Sequence, residues 1–345
     1  MNEQQILVTG GAGYIGSHTI VALCEMTGFK VVSVDNYSNS SPETYARIKS
    51  ITGKDIEYLE ADLSKKEEAD KVFQKFPGIT GIIHFAAFKS VPESVSKPLD
   101  YYDNNINSLL NLLEAGERNG VKHFIFSSSC SIYGNISDLP VNESTPAGKT
   151  ESPYAYTKVV GEKILEDVLN ASGKMKGIAL RYFNPVGAHE TGNLGELPNQ
   201  RPNNLVPVIT QCAIGKIPKM QVFGSDYPTR DGTCIRDYIH VCDIAEAHVK
   251  ALHLLIKNSV EKNYDVINLG SGQGVTVLEA IHTFEKISGK KLNYELTARR
   301  AGDVEAIYSD CTKAETVLGW KAKRSLDEMM SSAWKWELNL AAKRS

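Results

Sequence analysis

Four glycines in seven residues, Gly10-Gly11-Ala12-Gly13-Tyr14-Ile15-Gly16, follow directly on the apolar run Ile6-Leu7-Val8-Thr9. Glycines so placed leave the backbone open where a strand turns into a helix. An anion can then reach the unpaired amides at the helix start, where the helix dipole favours negative charge. Gly11, Gly13 and Gly16 satisfy G-x-G-x-x-G, and Gly10, Gly13 and Gly16 a second register of the same cradle. The spacing alone also describes tight turns. Its context argues otherwise, because the match opens a strand–helix unit and Asp35 closes the next apolar run 19 residues after Gly16. A carboxylate there can take the ribose hydroxyls of a dinucleotide. Asn36 and Tyr37 follow with no arginine for a 2′-phosphate, so the expected cofactor is NAD.

Short β-branched runs recur at 6–9, 31–34, 56–59, 81–84, 123–127 and 178–181, with helical patterns between them. That rhythm predicts an α/β fold, a Rossmann-type doubly wound parallel sheet. Ser41-Pro42 and Ser152-Pro153 read as N-caps followed by proline at the first helical position. Asp62 and Ser64 are alternative caps for the helix holding Glu67 and Glu68. Beyond about Asn184, glycine, asparagine and proline thicken, which divides the chain into a cofactor domain over 1–183 and a smaller α/β substrate lobe over 184–345, with some later segments returning to the first. Capping boxes are expected at Asp243/Glu246, Thr276/Glu279 and Ser325/Glu328.

Composition excludes several classes. With 42% apolar and 23% charged residues the chain is neither disordered nor a coiled coil. A net charge of −3 gives no electrostatic case for nucleic acid. Six scattered cysteines and eight histidines without metal-ligand spacing predict free thiols, a cytoplasmic setting and no metal site. The uncharged window from Gln4 to Cys24 holds four glycines and is too polar to span a membrane. The three tryptophans, Trp320, Trp334 and Trp336, read as packing residues.

Tyr154 and Lys158 stand four apart just after Ser152-Pro153, on one helical face. A phenol with an ordinary pKa of about 10 is a poor base at neutral pH, but a neighbouring ammonium favours its phenolate. The pair follows an apolar strand ending in Ser127-Ser128-Ser129, and open α/β sheets hold ligands outside their carboxyl strand ends. Ser129 is the hydroxyl expected to share a proton with Tyr154, while Cys130 reads as a small filler.

At this point the chain resembles the extended short-chain dehydrogenase/reductases, specifically their UDP-glucose/UDP-galactose 4-epimerase branch. The likeness runs through Val8-Thr9-Gly10-Gly11, Ile83-His84-Phe85-Ala86, Tyr101-Tyr102-Asp103-Asn104-Asn105, Arg181-Tyr182-Phe183-Asn184-Pro185-Val186-Gly187, Arg236-Asp237-Tyr238-Ile239-His240 and Arg299-Arg300-x-Gly302-Asp303. The resemblance implies a cofactor set of Gly10, Gly13, Tyr14, Ile15, Gly16, Asp35, Asn36, Asp62, Leu63, Phe85, Ala86, Lys89, Asn104, Tyr154, Lys158 and Tyr182. Asp62 then meets the adenine amine and Lys89 the nicotinamide ribose. Around a UDP-hexose it implies Ser129, Tyr154, Asn184, Asn204, Leu205, Phe223, Arg236, Tyr238, Arg300 and Asp303, with the two arginines clamping the diphosphate. Ile307 matches the position that governs admission of N-acetylated sugars, and its intermediate size leaves that question open. The implied reaction is interconversion of UDP-galactose and UDP-glucose through a 4-keto sugar, with a homodimer formed by the helices near 99–119 and 152–172. Competing expectations are a 4,6-dehydratase, a uronate epimerase or decarboxylase, and a non-enzymatic NAD-sensing scaffold.

Overall fold

Six strands of the first half alternate with helices: β1 (Gln5–Thr9), α1 (Tyr14–Met26), β2 (Lys30–Asp35), α2 (Glu43–Thr52), β3 (Glu57–Glu60), α3 (Lys66–Lys75), β4 (Ile79–His84), α4 (Val91–Ser96), α5 (Pro98–Arg118), β5 (His123–Ser129), α6 (Pro153–Ser172) and β6 (Lys176–Tyr182). The computed structural model describes residues 4–198, 202–300 and 302–343. After β6 the chain builds β7 (Asn184–Val186), α7 (Leu205–Ala213), β8 (Met220–Phe223), β9 (Ile235–His240) and α8 (Val241–Ile256). It then returns to the first sheet as β10 (Tyr264–Leu269) before β11 (Gly274–Thr276), α9 (Val277–Ser288), β12 (Tyr294–Thr297), β13 (Ala306–Ile307), α10 (Thr312–Leu318) and α11 (Leu326–Ala342).

The large sheet has seven parallel strands in the order β10-β6-β5-β4-β1-β2-β3. Strand order reverses between β1 and β4, and a crevice opens where their carboxyl ends diverge. Alternation along β1 divides the core. Ile6 and Val8 pack with Ile20 of α1 and Leu252 of α8, while Leu7 packs with Leu112 of α5 and Leu165 of α6. Outside the large sheet, β9 pairs with β7 and β13 in parallel and with β11 antiparallel; β8 and β12 form a separate pair.

Ser152 caps α6 as expected, its Oγ accepting from Ala155 N at 3.2 Å with Pro153 inside the first turn. Both later capping boxes form, at Thr276/Glu279 and Ser325/Glu328. Three cap expectations are corrected. Pro42 itself occupies the cap of α2, so the helix starts at Glu43. Neither Asp62 nor Ser64 caps α3, whose cap is Lys65; Asp62 Oδ1 instead accepts from Ser64 N and Oγ, folding the loop before it. Asp243 lies inside the first turn of α8, capped by the His240 ring, and its carboxylate is drawn away to Arg324 and the amides of Lys323 and Arg324.

Candidate active site

The crevice is a cleft of about 990 Å³. Its floor is the glycine loop. Gly10 has φ +67, a conformation suited to glycine, and a Cβ there would stand 2.8 Å from the Ala86 amide nitrogen. A Cβ on Gly16 would stand 2.3 Å from Gly10 O. The cradle therefore exists only as long as both remain glycine. Gly13 caps α1 in extended conformation, no side chain caps the helix, and its first turn holds no acidic residue. Amides at such a terminus suit a pyrophosphate, so the loop fits the dinucleotide that its sequence predicts.

Asp35 lines the same cleft and does more than the spacing foretells. Its carboxylate accepts from Ala12 N (3.0 Å), Tyr37 N (2.9 Å) and Ser40 Oγ (2.8 Å), pinning the glycine loop to the turn after β2. Asn36, Asp62, Leu63, Phe85, Ala86, Lys89, Asn104 and Tyr182 also line the cleft, with Tyr14 and Ile15 beside the glycines. Lys89 Nζ lies 3.1 Å from Glu196, which also accepts from Asn204 Nδ2 at 2.7 Å.

Ser129, Tyr154 and Lys158 come together at the end of β5. Lys158 Nζ donates to Ser127 O at 2.8 Å and lies 5.9 Å from the centre of the Tyr154 ring. Burial pulls the ammonium down to about 8, against the charge of Glu162. Burial also raises the Tyr154 phenol, as does Tyr182, while a hydrogen-bonding interaction with Ser129 pulls it the other way. Behind them His84 Nδ1 lies 2.8 Å from Thr9 Oγ1; burial and then Lys158 push the imidazole down to about 3, so it stays neutral. The Cys130 thiol is pushed up to about 12 by burial, in keeping with a filler.

At the far end Arg300 donates to Asp303 through Nη2 (2.8 Å) and Nε (3.1 Å), and Arg236 stands 3.8 Å from the same carboxylate. Two guanidinium groups with one carboxylate leave net positive charge, which suits a diphosphate. Phe223 lies under Arg300, its ring centre 5.2 Å from the guanidinium carbon. Asn184, Asn204 and Ile307 line the cleft. Leu205, Phe223 and Tyr238 do not; Leu205 and Tyr238 turn instead into the apolar cluster that holds Ile209 of α7 and Phe284 of α9.

Ser131 and Trp336 were not singled out for the site by the sequence, yet both line the cleft. Ser131 Oγ is buried with no hydrogen-bond partner, and its amide donates to Ser129 Oγ at 3.2 Å. It lies past the strand in the turn Cys130–Tyr133, where alternation no longer marks a face. Trp336 packs as expected, but it also donates Nε1 to Glu196 O (2.9 Å) and carries Arg47 of α2 over its ring at 5.1 Å, tying α11 to α2.

A family model described as GDP-mannose 4,6 dehydratase matches residues 7–333. Among curated relatives, a UDP-glucose 4-epimerase of Bacillus subtilis (strain 168) is 49% identical over 332 residues, 96% of each chain. One from Drosophila melanogaster is 47% identical over 343 residues, covering 98% of this chain and 97% of the relative. Among solved structures, a UDP-glucose-4-epimerase from Stenotrophomonas maltophila with bound NAD and formylated UDP-arabinopyranose superimposes with TM-score 0.94 at 42% identity, covering 99% of this chain and all of that one. One from Bifidobacterium longum in complex with NAD+ and UDP gives TM-score 0.92 at 45% identity, covering 97% and 98%.

Proposed function

We infer the reaction from kinship and geometry together: the chain belongs to the UDP-glucose 4-epimerase family of extended short-chain dehydrogenase/reductases. It is an NAD-dependent isomerase that interconverts UDP-galactose and UDP-glucose. The observation that carries this is a single cleft holding a dinucleotide cradle, a paired tyrosine and lysine, and an arginine pair. Bound NAD supplies a reversible hydride acceptor for carbon 4 of the hexose.

Tyr154 removes the proton of the 4-hydroxyl, with Ser129 sharing it, and Lys158 holds the phenolate that burial disfavours. Arg236 and Arg300 grip the diphosphate, so binding energy comes from the part of the substrate that does not react. The 4-keto sugar is then free to turn so that its other face would receive the hydride back from the bound cofactor, while Tyr154 returns the proton to the 4-oxygen. A dehydratase needs a further acid and base at this strand end, where the chain has Ser129-Cys130-Ser131. Ile307, buried against Ile132, Tyr133 and Phe183, sets the room beside the hexose.

Leu99 and Leu110 on α5 and Tyr156 on α6 are exposed, and these faces support a homodimer. No helix among the described residues is long and apolar enough to cross a membrane. All six cysteines are free, in keeping with a cytoplasmic setting.

Purified protein given UDP-galactose without added NAD is expected to yield UDP-glucose on chromatography, and Tyr154→Phe to abolish the conversion. No conversion even with NAD supplied would sink the assignment.

A further inference from the structure

Behind the strand end that faces the cleft lies a buried ion pair outside the chemistry just described. Glu162 stands one helical turn beyond Lys158 on α6. Its carboxylate accepts from Arg181 Nε (2.8 Å) and Nη2 (2.6 Å) and from Ser128 Oγ. Arg181 Nη1 also donates to the Tyr133 hydroxyl at 3.1 Å, which donates to Asn268 Oδ1 at 2.7 Å. Burying two charges is costly, so such a pair is weak evidence for stability and invites another explanation.

The explanation lies in three consecutive residues of β5. Ser127 gives its carbonyl to Lys158, Ser129 faces Tyr154, and Ser128 between them is held by Glu162. We propose that Glu162, braced by Arg181, is a positioning residue for the epimerisation: through Ser128 it fixes the strand end from which Ser127 holds Lys158, and it sets one negative charge a helical turn from that lysine. This rests on the roles given above to Tyr154 and Lys158.

The groups around Lys158 are few. Tyr154 and Glu162 face it from α6, neutral His84 from β4, and the Phe126 ring and Ser127 carbonyl from β5. Tyr182 of β6, bonded to Ser127, is raised to about 12 by burial and so stays neutral as well. Glu162 is the negative charge of this set, and it opposes the pull of burial.

In Glu162→Gln the alkaline limb of the pH–rate profile is expected to move down by about half to one pH unit, the lower end of charge–charge shifts. Trace acetylation of Lys158 with acetic anhydride, mapped by peptide mass spectrometry across pH, should move its midpoint the same way. Ser128→Ala keeps the charges and cuts the tie to the strand, so it should lower kcat with both midpoints in place. The double variant Glu162→Gln/Arg181→Met leaves no unpaired charge and covers a single variant that does not fold. Its midpoints should fall too, because Glu162 is the member of the pair that acts on Lys158. A folded Glu162 variant, single or double, with unmoved limb and labelling midpoint overturns the proposal, as does a Ser128→Ala enzyme with unchanged kcat. An inactive wild-type enzyme would instead overturn the assigned reaction, and the labelling would still read Lys158.

Discussion

Above about pH 8 the Lys158 ammonium gives up its proton, because burial has drawn it down from an ordinary 10.5. The phenolate of Tyr154 then loses its partner, so kcat/KM should fall on the alkaline side with a midpoint near 8. Stability should move the other way. The folded value lies below the unfolded one, so the penalty for burying the charge is complete below about 8 and is relieved between about 8 and 10.5. Comparing kcat/KM and Tm of the wild type with Lys158→Met across that window checks both signs. Ile307→Tyr places a larger side chain against the cleft; turnover of N-acetylated UDP-sugars should drop at least about tenfold relative to the plain ones, as a pocket change worth ~1–3 kcal/mol would give. A variant that keeps the ratio would remove Ile307 from specificity. Tyr154 and Lys158 stand out in the sequence because helical spacing puts them on one face and the strand before them ends in Ser127-Ser128-Ser129, where open sheets hold ligands. Glu162 shares that face and was passed over, since its meaning depends on Ser128 and Arg181 from two different strands.

The glycine loop is legible for the opposite reason: strand, turn and helix are contiguous, and the spacing states the geometry. Gly16→Ala would drive a methyl into Gly10 O, where the neighbour is backbone and cannot swing aside. We expect the variant to purify without NAD, judged by absorbance, and to lose roughly 1–3 kcal/mol in a denaturant melt. Ser152→Ala removes one cap and should cost about 1 kcal/mol, with activity lowered because α6 carries Tyr154 and Lys158 near its start. Asp243 shows where local reading stops. Its spacing to Glu246 suits a capping box, but Arg324, far away in sequence, captures both carboxylates. The cap residue is then His240, whose ring accepts from Cys242 N at 3.1 Å.

Across the whole molecule, the expected parallel sheet is present with its reversal of order between β1 and β4. No periodicity could assign Tyr264–Leu269 to the edge beside β6, since that pairing joins residues far apart along the chain. Phe223 and Arg300 likewise meet only through the pairing of β8 with β12, Thr297 standing opposite Phe223. If α5 and α6 pair with a second copy, Leu110→Glu should halve the mass seen in sedimentation velocity, with the far-UV spectrum unchanged. A wild-type monomer would remove the dimer.

The edge formed by Tyr264–Leu269 also bears on how the protein is born. A ribosome makes β6 long before it makes β10, and until Leu269 clears the exit tunnel the row from Gly177 to Tyr182 has nothing to pair with on that side. A nascent chain in that interval displays a bare, apolar strand to its neighbours on the same message. Slow codons placed before Tyr264 should therefore raise the insoluble fraction, and the same delay placed after Leu269 should not.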